Sequence, residues 1–319
     1  MLQYIVIILD DSSVSYCHYS NKVIKKLIGL EDLKSAILFA MKENLNIQFV
    51  LPDYQLPNEY LELIDSIDHC TIVSVNNKSS IRSDADVMVV DDWSKLDTDE
   101  TLISNKTYVI RTTYKDFLKN YKRLDSYLKG CARLNIVYTD YNNCDSYELS
   151  LYEEALLYLA EAIKIEYSLG HYVQLNLLTD RLFLTQMNNC GAGDSTITLA
   201  PNGNFYVCPA FYYSSEENVG NPRSGLKIKN PQLFRLSHSP LCKHCDAYHC
   251  KRCVWTNKAK TLEVNIPSSE QCIMSHLERN ASAYLLMRLR QLGDYFPNAK
   301  LEKTSCLDPF DLRETWMDY

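Results

Sequence analysis

Apolar residues in the first 185 positions alternate between two periods. Residues 4–9 form one continuous apolar run rich in β-branched side chains, as expected of a strand buried on both faces. A polar loop over 10–20 follows. Residues 31–44 then carry Leu33, Ile37, Leu38 and Met41 as one stripe, which predicts an amphipathic helix. The alternation continues with a strand at 47–51 closed by Pro52, a short helix at 60–67, and apolar runs at 71–75 and 87–90. A strand at 108–112, a helix at 114–128 and a strand at 134–139 come next. The clearest helix covers 149–168, with Leu151, Ala155, Leu156, Leu159, Ala162 and Ile163 at helical spacing, and a strand at 173–178 ends the series. Strands alternating with helices predict an α/β fold of parallel βαβ units. About six such units give either an open doubly wound sheet or an incomplete barrel, and periodicity does not choose between them.

Beyond residue 185 cysteines replace periodicity as the informative signal. Cys190 is followed after 12 residues by Gly203, and Cys208 comes four residues further on. Cys242-Lys-His-Cys245 and Cys250-Lys-Arg-Cys253 are two C-x-x-C pairs, and Cys272 follows after 18 residues. Between Cys190 and Cys208, residues 196–199 and 204–207 read as a hairpin around Pro201-Asn-Gly203, which brings the two cysteines near each other. The four cysteines from 242 to 253 alone satisfy a closed zinc site. Three further cysteines would leave a second zinc one ligand short, whereas iron–sulfur proteins often split a tight cysteine run between two clusters. Iron–sulfur is therefore the leading reading, and two zinc ions the alternative.

Bulk properties narrow the rest. The 319-residue chain has 46% hydrophobic and 23% charged residues, enough for ordinary cores in one large domain and a smaller module. A net charge of -7 argues against broad nucleic-acid binding. No apolar run approaches the ~20 residues of a membrane helix, and the N-terminus lacks the features of a signal peptide. A soluble, cytoplasmic protein is expected, with reduced thiols. Cys17, Cys70, Cys131, Cys144 and Cys306 share no ligand spacing and read mainly as buried apolar residues.

The seven positions resemble the SPASM domain, the auxiliary-cluster module of radical SAM peptide maturases. Its pattern is C-x(9–15)-G-x4-C, then C-x2-C-x5-C-x3-C, then C; this chain is one residue shorter in each of two spacers. The resemblance covers about 85 residues and implies two 4Fe–4S clusters. It assigns Cys190, Cys208 and Cys253 to one cluster and Cys242, Cys245, Cys250 and Cys272 to the other. The first then has an open iron or a non-cysteine ligand, for which Asp194 is a candidate beside its simpler reading as a turn residue. Gly203 is the structural turn of the motif.

The N-terminal half departs from that class. A radical SAM barrel carries C-x3-C-x2-C after its first strand, but here residues 10–18 hold a single cysteine, Cys17, next to His18. The expected Gly-Gly-Glu segment is replaced by Leu51-Pro-Asp-Tyr-Gln55. SAM is therefore not expected as a cofactor. The implied architecture is a degenerate radical SAM-like partial (β/α)6 barrel over 1–185, a SPASM-like iron–sulfur domain over 186–280, and a C-terminal helix and tail over 281–319. This layout is similar to the CXXX repeat peptide maturases. It implies a role in maturing a ribosomally made, cysteine-containing precursor peptide, by binding a substrate thiolate or relaying electrons, with a redox or maturation protein as a further partner. The alternative is a zinc-stabilised module that binds a peptide or partner without redox chemistry.

Other features read more plainly. Cys17 and His18 lie in a loop after a strand, where barrel active sites are built, but an adjacent pair is far from a catalytic constellation. Asp10 and Asp11 read as a solvated turn, and Lys227, Lys229, Lys251 and Arg252 as solvated charge. His244 and His249 read as exposed or as neighbours of the ligands. The tail after Asp308, with Phe310 and Trp316, either packs back or meets a partner.

Overall fold

The computed structural model describes residues 2–22, 24–77, 84–94, 105–140, 145–187 and 190–311. Their strands in chain order include β1 (Tyr4–Ile8), β2 (Asn46–Val50), β3 (Cys70–Ser74), β4 (Val87–Val90), β5 (Thr107–Thr112), β6 (Arg133–Tyr138), β7 (Gln174–Leu175), β8 (Thr196–Leu199) and β9 (Phe205–Tyr206). The helices include α1 (Leu30–Lys42), α2 (Asn58–Asp65), α3 (Tyr114–Asn120), α4 (Asp125–Gly130), α5 (Ser146–Ser168), α6 (Asp180–Phe183), α7 (Pro209–Tyr213), α8 (Val254–Thr261) and α9 (Ser269–Arg290). The protein is a mixed α/β fold built on parallel strands. No helix among the described residues is long and apolar enough to cross a membrane.

Two compact units interleave along the chain. The first comprises residues 1–91 and 190–238, the second 92–189 and 239–319. In the first, strands run in the order β4-β3-β2-β1-β8-β9; within that order the β8–β9 pair is antiparallel and the other pairs are parallel. Ile5, Ile7 and Ile8 of β1 and Phe49 and Val50 of β2 are fully buried, as the unbroken apolar runs require. Helix α1 corrects the predicted stripe. Leu33, Ala36, Ile37 and Ala40 are buried, whereas Leu38 and Met41 are more than 60% exposed. The buried set follows i, i+3, i+4, i+7, and its alanines allow close packing that the bulkier off-stripe residues would prevent.

The predicted hairpin forms as β8–β9, with Thr198 opposite Tyr206 and Leu199 opposite Phe205. Gly203 makes the turn at φ 75°, and a Cβ there would lie 2.7 Å from Asp32 Oδ2. Asp32 is itself held by Arg223 at 3.3 Å. Gly203→Ala is accordingly expected to cost about 1–2 kcal/mol, from the left-handed backbone and the contact together, read as a shift in the denaturation midpoint.

The second unit contains the parallel trio β5-β6-β7. The predicted 114–128 helix divides into α3, a 3-10 turn at Tyr121–Leu124, and α4. The predicted 173–178 strand contracts to Gln174–Leu175, because Leu178 and Thr179 already turn back onto the Leu175 carbonyl. Asp145 caps α5 by accepting from Glu148 N, and Ser268 caps α9 by accepting from Gln271 N. The two long helices pack together. Glu161 of α5 receives Arg288 Nε and Tyr284 Oη of α9, each at 2.6 Å, while Tyr152 donates to Glu278. Helix α9 runs unbroken through residue 280, where a domain boundary was expected.

Candidate metal centre

Five of the seven cysteines in the motif lie in the second unit, and four of them gather at one cavity. A short 3-10 turn carries Cys242 and ends at Cys245, Cys250 follows a tight loop, and Cys272 sits in the first turn of α9. All four line one cavity of about 270 Å3, with Met187, Leu241, Pro267 and Pro309 among its apolar walls. The loops turn their amides onto sulfur, with Ala247 N donating to Cys245 Sγ at 3.4 Å and Arg252 N to Cys250 Sγ at 3.5 Å. Arg252 adopts φ 41° in doing so, an uncommon conformation for a residue with a long side chain. Such N–H···S bonds stabilise thiolate character and tune a bound metal.

Burial dominates the acidity of these thiols. It pushes Cys250 up to about 12, and Cys242 and Cys245 upward as well. Cys272 is raised by burial and then by the neighbouring Cys250, Cys242 and Cys245. Thiols of this kind lose their protons to solvent when a cation binds the thiolates, which couples binding to proton release.

The cavity also tests which group the set fits. Among the described residues no three His, Cys, Asp or Glu side chains converge tightly enough to hold a single metal ion. A tetrahedral zinc site needs each sulfur at ~2.3 Å from one point. Four soft sulfur donors lining one cavity are the donor set that an iron–sulfur core takes, and zinc takes the same donors.

Neighbours absent from the sequence reading surround this site. His276 lies one helical turn after Cys272, with Nδ1 donating to the Leu307 carbonyl at 2.6 Å and Nε2 facing Cys245 Sγ at 3.5 Å. The i, i+4 spacing on α9 was the available signal. Asp246 accepts two bonds from Arg279 and one from Arg181. Ser269 donates to Asp308, so the described part of the tail packs against α9; Trp316 lies outside the described residues, as does Cys144. His249 is buried, with Nε2 3.1 Å from Glu278 Oε2 but out of hydrogen-bond alignment, whereas His244 is exposed at the cavity rim. Lys251 and Arg252 depart from solvated charge. Arg252 is buried, and the half-buried Lys251 reaches the Ile136 carbonyl at 3.4 Å.

Cys253 belongs to the same unit, is buried, and caps α8 by accepting from Thr256 N at 3.5 Å. Cys190 and Cys208 belong to the first unit, either side of the β8–β9 hairpin, with Cys208 immediately before α7. Asp194 stands 3.5 Å from Arg235. Asp10 and Asp11 are the clearest correction, since both are buried. Asp10 accepts from Ser12 N and from Tyr54 Oη at 2.8 and 2.9 Å, and Asp11 accepts from Tyr212 Oη. The loop folds inward because Ile28 N bonds the Leu9 carbonyl and Lys22 N the Asp11 carbonyl. Cys17 and His18 of this loop are half-buried.

No protein-family model and no curated protein matches the chain. Solved structures do. The anSMEcpe structure with bound AdoMet is 16% identical, with a TM-score of 0.61 over 91% of this chain and 99% of that one. The same protein with AdoMet and Cp18Cys peptide gives 14% identity and 0.60 over 91% and 99%. Streptococcus suis SuiB bound to precursor peptide SuiA gives 13% and 0.50 over 85% and 76%. The chain shares their fold. These neighbours are SPASM-type radical SAM peptide maturases, the class that the cysteine pattern resembles.

Proposed function

We propose that the protein is an iron–sulfur protein that takes part in maturing a ribosomally made, cysteine-containing peptide, without cleaving SAM itself. The observation that carries the reading is the four-cysteine cavity of Cys242, Cys245, Cys250 and Cys272. These residues would hold one 4Fe–4S cluster, and Cys190 and Cys208, with Cys253 added by the cysteine pattern, would hold a second. When bound, such clusters supply one-electron transfer and, at an open iron, a site for a thiolate. The chain's own part is to keep water from the cavity with Met187, Leu241, Pro267 and Pro309, and to direct amide donors at the sulfurs.

A peptide partner is supported by the fold shared with anSMEcpe and SuiB, whose structures include bound peptides. A role without SAM cleavage is supported by the two departures from the class. Residues 10–18 and the 51–55 segment bond to each other through Tyr54 and Asp10, so the segments that carry SAM chemistry in the class are here tied by side chains. The test is to titrate a cysteine-containing peptide encoded beside the gene into anaerobically prepared protein. A perturbed cluster spectrum, or a change in its rate of reduction by a redox partner, is the expected result. A peptide that neither binds nor alters either signal would remove the maturation reading.

A further inference from the structure

The reading above leaves the cluster at Cys190 and Cys208 short of a ligand, and the first unit carries Cys17 on a loop tied to the helix after Cys208. The 10–22 loop is clamped to α7, the helix that starts directly after Cys208. Asp11 accepts from Tyr212 Oη through its carboxylate and from Tyr213 Oη, at 3.1 Å, through its carbonyl. Lys22 closes the clamp, 3.6 Å from Asp11 and 4.7 Å above the Tyr212 ring. Tyr19 stacks on Tyr213 at 4.9 Å with the rings 5° from parallel, and Tyr16 meets Tyr19 edge-on at 5.8 Å. Three rings thus join the residue before Cys17 to the helix that follows Cys208. Tyr16 is half-buried, and its phenol is raised first by desolvation and then by the neighbouring Cys17, Cys208 and Cys190.

We propose that Cys17 is a cluster ligand alongside Cys190 and Cys208. A thiolate is the soft donor that an iron–sulfur core takes, and the aromatic clamp fixes the loop that presents it. Deprotonation of Cys17 accompanies binding. With Cys253 from the cysteine pattern, the set reaches four thiolates and leaves no iron open to a substrate. The cluster then relays electrons and does not anchor the peptide. The proposal rests on the iron–sulfur reading and narrows it.

The test compares full-length wild type, Cys17→Ala and Cys17→Ser, reconstituted anaerobically, by iron and sulfide per chain and by EPR. The wild type should show two complete 4Fe–4S clusters. Both variants should lose iron and, on mild oxidation, give a 3Fe–4S signal that the wild type lacks, with unchanged far-UV circular dichroism. Variants with wild-type iron and EPR would overturn the proposal, as would a disulfide from Cys17 in the iron-replete wild type. A wild type with one cluster, unaffected by Cys190→Ala, would instead overturn the underlying two-cluster reading.

Discussion

Cys272→Ala is expected to remove one cluster outright and cut iron and acid-labile sulfide by about half. The thiol reaches the cavity from the first turn of α9, opposite the loop cysteines at 242, 245 and 250. Beside it, Gln271 faces Cys250 through an amide and Ser275 presents a hydroxyl, neither of them a soft donor. Loss of the cluster should also lower the unfolding midpoint, because metal binding and folding are coupled in small cysteine-rich segments. Cys131→Ala provides the contrast. Cys131 is fully buried and its thiol is pushed up to about 12 by burial, with no place in the cysteine motif. Its loss should cost about 1–2 kcal/mol in denaturation and leave iron unchanged.

The second large effect belongs to Asp246. Its carboxylate takes Arg279 Nε at 2.6 Å and Nη2 at 2.7 Å in a bidentate pair, and Arg181 Nη2 at 3.2 Å. The arginine side chains are 11% and 9% exposed, so Asp246→Asn leaves two nearly buried cations without their counter-charge. Breaking a buried pair costs ~3–5 kcal/mol, and the carboxylate's 41% exposure brings the expectation down to about 2–3 kcal/mol. Because Asp246 adjoins Cys245, slower cluster assembly should accompany the lost stability. The Arg279 hydrogen bonds, followed by the charges of Arg279 and Arg181, hold the carboxyl below its ordinary range. A depressed folded value means that the stabilisation is present above the unfolded value and lost as pH falls through the folded one. The gap between wild type and variant in chemical denaturation should therefore be widest at neutral pH and close below about pH 4.

Strands buried on both faces were legible because their apolar runs need no partner to be recognised, as at β1 and β2. Helix faces were less so. Leu38 and Met41 looked like core by hydrophobicity, and only the approach of α1 to the sheet selects Ala36 and Ala40 instead. The cysteine ladder was legible by spacing, since tight turns bring thiols together locally. His276, Arg279 and Arg181 were not, because their contacts with Cys245 and Asp246 span from about 30 to 65 residues of sequence. The same holds for Asp10 and Asp11. A polar loop reads as solvated until Tyr54 and Tyr212, 44 and 201 residues away, are seen to bury it.

The most direct measurement is iron, acid-labile sulfide and zinc per chain, with the Mössbauer spectrum, on protein made anaerobically with iron in excess. The account predicts a brown protein with sulfide equal to iron, in the amount of two 4Fe–4S clusters, and negligible zinc. A colourless protein with about two zinc ions and no sulfide would contradict it.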